Sequence, residues 1–477
     1  MQQRLLLGRW AAALAVGLLA TGAIAADPPA KATVGKDHPN VLFIAIDDLN
    51  DWTGFLGGHA DTKTPHMDRL AGRGLVFERA YCAAPACNPS RAALMTGVWP
   101  STTGVYTNGQ PYEKPIAGYE TLTQAFMRGG YDVSGGGKIF HGGTGNPAWY
   151  HRQIDRAKTR VPAEAVISHS PAKQGHFDWG PTSTGDDAII DEHVVTYALE
   201  EMKRDRGDQP FFLACGLSKP HLPWFVPQKY FDQFPESAVT LPSVKEDDLA
   251  DVPPAGVKMA RPDGDHARVV KHDQWKAGVQ AYLAAVSYCD RQIGRLLDGL
   301  EASGHDDDTV VVLWGDHGWN LGEKEHWRKF CLWEESARVP FLMYVPGAAG
   351  MGRRTGATVS LVDIYPTLME LCHIAPPKAL EGRSLVSLVN DPKAAWDRPA
   401  LTTHGRLNHT VRTEKYRYIR YENGDEELYD EAADPNEWTN LASDPAHAAT
   451  KEQLRAYLPT KDAPNAPFAK GKRGGDE

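Results

Sequence analysis

Four short stretches, each running into a polar cluster, limit this fold more than any other feature. Residues 41–46 (VLFIAI) stop at Asp47-Asp48, and residues 210–216 (PFFLACG) lead into Ser218-Lys219-Pro220-His221. Residues 309–314 (TVVVLW) stop at Gly315-Asp316-His317-Gly318, and the strand-like 131–134 precedes a glycine run and Lys138-Ile139-Phe140-His141. The runs at 41–46, 210–216 and 309–314, short and continuously apolar, read as strands buried on both faces, as parallel sheets demand. Further strand-like runs lie at 75–81 and 340–345. Helical patterns alternate with them at 65–74, 89–95, 121–127 and 188–203. The clearest helix spans 275–300, where Val279, Tyr282, Val286, Cys289, Ile293, Leu296 and Leu300 step by three or four along one apolar face. Strands alternating with helices predict an α/β fold with a mainly parallel central sheet between helical layers. Ligands of such sheets sit beyond the carboxyl ends of the strands, so the four polar clusters predict one shared site.

Past about residue 375 the texture changes. Residues 410–430 alternate aromatic and charged side chains around Asn423-Gly424, a hairpin signal. The reading is a catalytic domain at 39–375 and a small C-terminal α+β subdomain at 376–477 carrying an antiparallel sheet. The other end reads as a signal peptide over 1–25. Arg4 and Arg9 precede an apolar run, 10–20, too short to span a bilayer, and Ala23-Ile24-Ala25 offers a cleavage site. Residues 26–38 read as a flexible leader. The expectation is a secreted or periplasmic protein with no transmembrane segment after signal cleavage.

The formal net charge of −10 argues against nucleic acid as a partner, which needs a basic surface. It leaves room for an anionic substrate held in a local basic pocket. Six cysteines in so long an exported chain make no dense disulfide framework. Cys215 and Cys289 read as small buried hydrophobes.

One cysteine stands apart. Cys87-Asn88-Pro89-Ser90-Arg91 continues to Leu94 and Thr96-Gly97. This segment resembles the signature of the formylglycine-dependent sulfatases, Cys-x-Pro-Ser-Arg followed by Leu and Thr-Gly. The resemblance implies an alkaline-phosphatase-like α/β fold and a maturation enzyme that oxidises Cys87 to formylglycine. The hydrated aldehyde carries two hydroxyls on one carbon: one attacks sulfur, and the other, once deprotonated, expels sulfate.

The remaining motifs fall into place beside it. Carboxylates from two strand ends, Asp47-Asp48 and Asp316, suit a hard divalent cation such as Ca²⁺ or Mg²⁺. The resemblance implies that Asp47, Asp48, Asp316 and the oxygen of residue 87 bind it, with His317 where many sulfatases have Asn. Gly137-Lys138-Ile139-Phe140-His141 resembles the family's Gly-Lys-x-x-His segment, which makes Lys138 a sulfate contact and His141 the base that triggers sulfate release. Lys219-Pro220-His221 resembles its Lys-Pro-His segment, with His221 binding sulfate and protonating the leaving alcohol. Trp327-Arg328-Lys329 resembles a segment that assigns Lys329 to the sulfate, with Lys324 as the competing candidate. Arg91 would hold the diol and the metal carboxylates. Taken together, the motifs are similar to the iduronate-2-sulfatase branch. They imply hydrolysis of a sulfate ester on a sulfated saccharide, a uronate 2-O-sulfate or a related polysaccharide unit. Two alternatives stand: a phosphonate or phosphate monoester hydrolase of the same superfamily, and a non-catalytic glycan-binding protein whose Cys87 stays a thiol. Trp99, Trp224, Trp319 and Trp327 lie near the motifs and either stack on sugar rings or pack in the core.

Overall fold

The expected strands pair into one eight-stranded sheet. In chain order the strands are β1 (Asn40–Ile46), β2 (Leu75–Tyr81), β3 (Asp132–Gly137), β4 (Arg152–Ile154), β5 (Trp179–Thr182), β6 (Phe211–Leu217), β7 (Trp224–Pro227), β8 (Thr309–Gly315), β9 (Asn320–Leu321), β10 (Trp327–Arg328), β11 (Phe341–Tyr344), β12 (Arg353–Ser360), β13 (Ala400–Thr403), β14 (His409–Arg412), β15 (Tyr416–Arg420) and β16 (Glu426–Asp430). The computed structural model describes residues 38–154 and 161–469. The signal peptide expected over 1–25, and all of the leader except residue 38, lie outside these residues.

The large sheet runs β12-β2-β11-β8-β1-β6-β3-β4. Its neighbours pair in parallel except where β11 is involved. Central strand β1 shows why its run is apolar throughout. Val41, Phe43 and Ala45 enter one core, while Leu42, Ile44 and Ile46 enter the other. The side-chain period of two thus feeds two dry faces rather than one wet and one dry. The helices Pro65–Arg73, Ile190–Met202 and Trp275–Ala302 cover one face. The helices Cys87–Thr96, Leu122–Arg128 and Ile364–Leu371 cover the other. All seven residues of the expected stripe on Trp275–Ala302 are buried. This is the expected α/β architecture.

Register sets up the site. Ile46 pairs with Leu217 on one side and Gly315 on the other, and Gly137 pairs with Gly216. Asp47, Ser218 and Asp316 therefore leave the sheet at one level, with Lys138 one residue short of it. Strand β3 runs through the glycine stretch that the sequence placed after the strand. The reason is contact distance. Gly137 has φ +77°, and a Cβ there would lie 2.0 Å from the Gly216 carbonyl oxygen. A Cβ on Gly216 would lie 2.4 Å from the Lys138 backbone. Only glycine lets these two strand ends close together.

The C-terminal strands form a four-stranded antiparallel sheet, β13-β14-β15-β16, with the expected hairpin between β15 and β16 and Gly424 at φ +99° in its turn. Arg417 of β15 is fully buried. Its guanidinium lies 2.5 Å from Glu437 and 3.2 Å from Glu431, contacts Glu334, and donates to the Leu332 carbonyl at 3.1 Å. Burial would raise the Glu334 carboxyl, but Arg412, Arg417 and Arg338 together hold it down to about 2. This ionic knot ties the sheet to the segment just after Lys329.

All six cysteines are buried and unbridged. Among the described residues no helix is long and apolar enough to cross a membrane.

Replacing Arg417 with Leu leaves Glu334, Glu431 and Glu437 buried without their shared cation. The expected loss is about 3–5 kcal/mol of unfolding free energy, read as a lower urea midpoint. An unchanged midpoint would show that the knot does not hold the sheet.

Candidate functional site

Cys87 opens the helix Cys87–Thr96, two residues before the expected start, and is fully buried. Its Sγ lies 2.9 Å from Lys329 Nζ, 3.3 Å from His317 Nε2, 3.5 Å from Lys138 Nζ and 3.9 Å from Asp48 Oδ1. Burial pushes the thiol up to about 12, against the pull of Lys138 and Lys329.

Arg91 sits one helical turn beyond Cys87, so both side chains leave the same face. Its Nε donates to Asp316 Oδ2 at 2.7 Å and its Nη2 to Asp47 Oδ1 at 3.3 Å. Its Nη1 donates to the carbonyls of Lys138 and, at 3.3 Å, Ile139. The arginine thereby joins the ends of β1, β3 and β8. Lys138 closes on Asp47, and Lys329 donates to Asp48 Oδ1 at 2.7 Å. The centre is thus three buried carboxylates interleaved with three buried cations. Burial would raise the Asp47 carboxyl, yet Lys138, His221, Arg91 and Lys329 bring it well below its ordinary value. Asp48 goes the other way, up to about 7, through burial first and then its neighbours Asp47 and Asp316.

The histidines are oriented by carbonyls. His317 Nδ1 meets the Gly318 carbonyl at 2.9 Å, and a carbonyl only accepts, so Nδ1 carries the proton. The Nε2 lone pair then faces Asp48 Oδ1 at 3.3 Å and Asp316 Oδ1 at 3.5 Å. Burial pushes this imidazole down to about 4, so it is neutral near pH 7. His221 donates from Nδ1 to its Leu222 neighbour's carbonyl at 2.5 Å and turns Nε2 toward Asp48 Oδ2 at 3.9 Å. Burial and the charges of Lys138 and Lys329 hold it neutral too. His141 is pushed down to about 3 by burial and by Lys138 and Lys329, and its Nδ1 is buried with no hydrogen-bond partner among the described residues.

Of the two competing lysines, Lys329 lies at the cluster. Lys324 does not: its ammonium meets Asp248 Oδ1 at 2.6 Å and the Glu437 carbonyl, beside the rings of Trp333 and Tyr429. Trp99, Trp224, Trp319 and Trp327 are all buried; Trp327 alone of the four also lines a cleft. Several supporting residues escaped the sequence reading. Tyr282 sits on the apolar stripe, yet its hydroxyl donates to the Asp48 carbonyl at 2.8 Å, next to the left-handed Asp48 at φ +60°. Asp191 accepts from Ser218 N at 2.7 Å and Lys219 N at 2.9 Å, anchoring the turn that carries His221. Ser90 Oγ donates to the Asp316 carbonyl at 2.5 Å. The His176 ring stacks on His221 with centroids 6.3 Å apart. Ser90 belongs to the Cys87 motif; Tyr282, Asp191 and His176 have no local sequence signal, because each partner is remote in the chain.

The residues fit a divalent cation. Asp47, Asp48, Cys87 and His221 form one set, and Asp47, Cys87, Asp316 and His317 a second, with the donor atoms of each set within 4.8 Å of one another. Asp48 Oδ2 is buried with no hydrogen-bond partner among the described residues. Carboxylate oxygens with one neutral imidazole suit a hard cation, and the Gly318 carbonyl supplies the outer contact that aims the ring.

Residues 39–374 match the sulfatase family, and residues 322–463 match the C-terminal region of N-sulphoglucosamine sulphohydrolase. The chain belongs to the sulfatase family, whose members are hydrolases, and its fold is alkaline-phosphatase-like. It is 38% identical to a sulfatase of Formosa agariphila, an alignment covering 90% of this chain and 87% of that one. It is 31% identical to an ulvan-active sulfatase of the same organism, covering 89% and 81%. Similarity to the iduronate 2-sulfatase of Mus musculus is more distant, 26% identity over 92% and 97%. Among solved structures, the phosphonate monoester hydrolase of Agrobacterium radiobacter shares the fold at TM-score 0.73 and 24% identity, covering 88% of this chain and 95% of that one.

The raised Asp48 carboxyl makes a pH prediction. Between roughly pH 4, its unfolded value, and about 7, the metal-free folded chain keeps a proton there that the unfolded chain releases. Stability therefore falls as pH rises through that window. A cation that replaces the proton restores it. Calcium should raise the thermal midpoint of the metal-stripped chain clearly at about pH 8 and far less at about pH 5. Equal shifts at both values would contradict this account of Asp48.

Proposed function

We propose that this protein is a secreted or periplasmic hydrolase of sulfate esters on a sulfated sugar, a uronate 2-O-sulfate or related polysaccharide unit. It acts through Cys87 matured to formylglycine beside a divalent cation, Ca²⁺ or Mg²⁺. The observation that carries this reading is the convergence of Lys329, Lys138 and His317 on one buried sulfur, at 2.9, 3.5 and 3.3 Å. Names among its relatives, an ulvan-active sulfatase and an iduronate 2-sulfatase, support the sugar.

The unmodified thiol is a poor nucleophile here. Held up to about 12, it stays protonated across the physiological range. The aldehyde hydrate supplies two hydroxyls on one carbon, one to bond sulfur and one to release sulfate. A bound cation, held by Asp47, Asp48, Asp316 and His317, supplies Lewis-acid charge to those oxygens. Cys87 has no exposed surface, so the maturation enzyme must reach it before the chain closes over the site.

The chain's own groups then divide the work. Lys138 and Lys329, already flanking residue 87, hold the sulfate oxygens where negative charge builds up. Arg91 locks Asp47 and Asp316 at their spacing. His141, neutral, takes the proton that frees sulfate. His221 donates from Nε2 to the leaving oxygen. In the guest-free site burial first, and then Lys138 and Lys329, keep His221 neutral. A sulfate seated between them offsets that repulsion, so the substrate itself creates the acid form.

Two measurements test this. Intact mass of active protein should show the Cys87 side chain as an aldehyde, and Cys87→Ala should abolish turnover with an unchanged thermal midpoint. An unmodified thiol in fully active protein sinks the proposal, as would a large preference for aryl phosphonate over aryl sulfate. His221→Ala should cost roughly 10²–10⁴-fold on sugar sulfates and much less on activated aryl sulfates. Equal losses on both would remove His221 as the acid.

A further inference from the structure

The cations around Cys87 do not exhaust the basic residues nearby. A cleft of about 1000 Å³ opens beside the cluster. That is the upper end of the range for small-molecule sites, roughly 300–1,000 Å³, and leaves room for more than one sugar ring. Its walls carry Lys258, Arg261, Arg268, Arg328 and Arg406 against only Asp265 and Glu422. Asp265 is already engaged, by Arg268 at 2.7 Å and by Arg328. The positive excess sits in a chain of net charge −10, so it is local and concentrated.

This cleft adjoins the chemistry directly. Arg328 and Phe330, both on its wall, flank Lys329 and take left-handed backbone, φ +78° and +83°. The strained stretch turns Lys329 onto Cys87 and its two neighbours into the cleft. His176, also on the wall, is the ring stacked on His221. The far wall holds Arg406; among the described residues its Nε is buried without a hydrogen-bond partner and its Nη2 reaches only the Asp462 carbonyl, at 3.5 Å. Lys258 and Arg261 stand exposed at the rim.

We infer that this cleft is a subsite for the sugar units next to the one that loses sulfate, and that it selects chains carrying further anionic groups. A carboxylate or second sulfate on a neighbouring unit seats against Arg406, with Lys258 and Arg261 drawing the chain in. The inference rests on the sulfated-sugar reading above. A repeating anionic oligosaccharide uses both the volume and the charge; a neutral or single-unit substrate uses neither.

The test uses the full chain and size-defined heparin disaccharide and hexasaccharide as probes, with affinity measured by calorimetry at fixed salt. The wild type should bind the hexasaccharide at least about tenfold tighter than the disaccharide. Lys258→Gln/Arg406→Gln should lose about tenfold in hexasaccharide affinity and show a flatter salt dependence. Both should leave kcat/KM on p-nitrophenyl sulfate unchanged. Lys258→Gln/Arg261→Gln, at exposed positions, should move the same way and guards against a folding defect in the first variant. Equal affinity for the two lengths, or hexasaccharide affinity untouched by both variants, overturns the subsite. A wild type that binds in this pattern but hydrolyses no sulfate ester overturns the proposed function and leaves the subsite standing.

Discussion

Three buried ion pairs centred on one sulfur are the constraint to which the structure answers. Asp47 meets Lys138, Asp48 meets Lys329 and Asp316 meets Arg91, all essentially without solvent. Taking six charges out of water is expensive, and buried pairs of this kind contribute little net stability. Well-packed apolar residues would serve a purely structural end better. The cluster makes sense as a receptacle. Its three carboxylates and three cations balance, so neither a cation nor an anionic ester meets a large net charge of its own sign.

The sheet makes that receptacle possible. Registers that set Ile46 beside Leu217 and Gly315, and Gly137 beside Gly216, bring four chain segments to within one residue of the same level, and the two apolar layers leave no freedom to slip. Gly137 and Gly216 let the ends of β3 and β6 close together, while Arg91 joins the ends of β1, β3 and β8. On the far side the C-terminal sheet acts through Arg417, whose partner Glu334 follows the Lys329 segment within a few residues. A sheet with no residue among the predicted ligands thus steadies the loop that supplies one of the two lysines.

The same charges set protonation. His141, His221 and His317 are all held neutral, burial being the largest cause in each. For a ligand or a base, neutrality is the working state. For the acid role proposed for His221 it is not, and in that proposal the sulfate supplies the missing charge balance. Beside this centre, the left-handed residues around Lys329 divide one short loop between two tasks, one side chain to the sulfur and its neighbours to the basic cleft.

Much of this was legible in the sequence. Buried strands announce themselves by unbroken apolar runs, and their polar terminators name Asp47, Asp48, Lys138, His221, Asp316 and His317. A motif around Cys87 does the rest, since residue types at fixed spacing carry chemistry without any need for coordinates. Tertiary structure alone decided the remainder. It chose Lys329 over Lys324, turned β11 against its neighbours, ran β3 through its glycines, and recruited Tyr282 and Asp191 from apparently ordinary positions. The physical reason is range. Periodicity and motif spacing are properties of adjacent residues, whereas which way a left-handed loop residue points, and which remote carbonyl or carboxylate receives it, are settled only when segments hundreds of residues apart pack together.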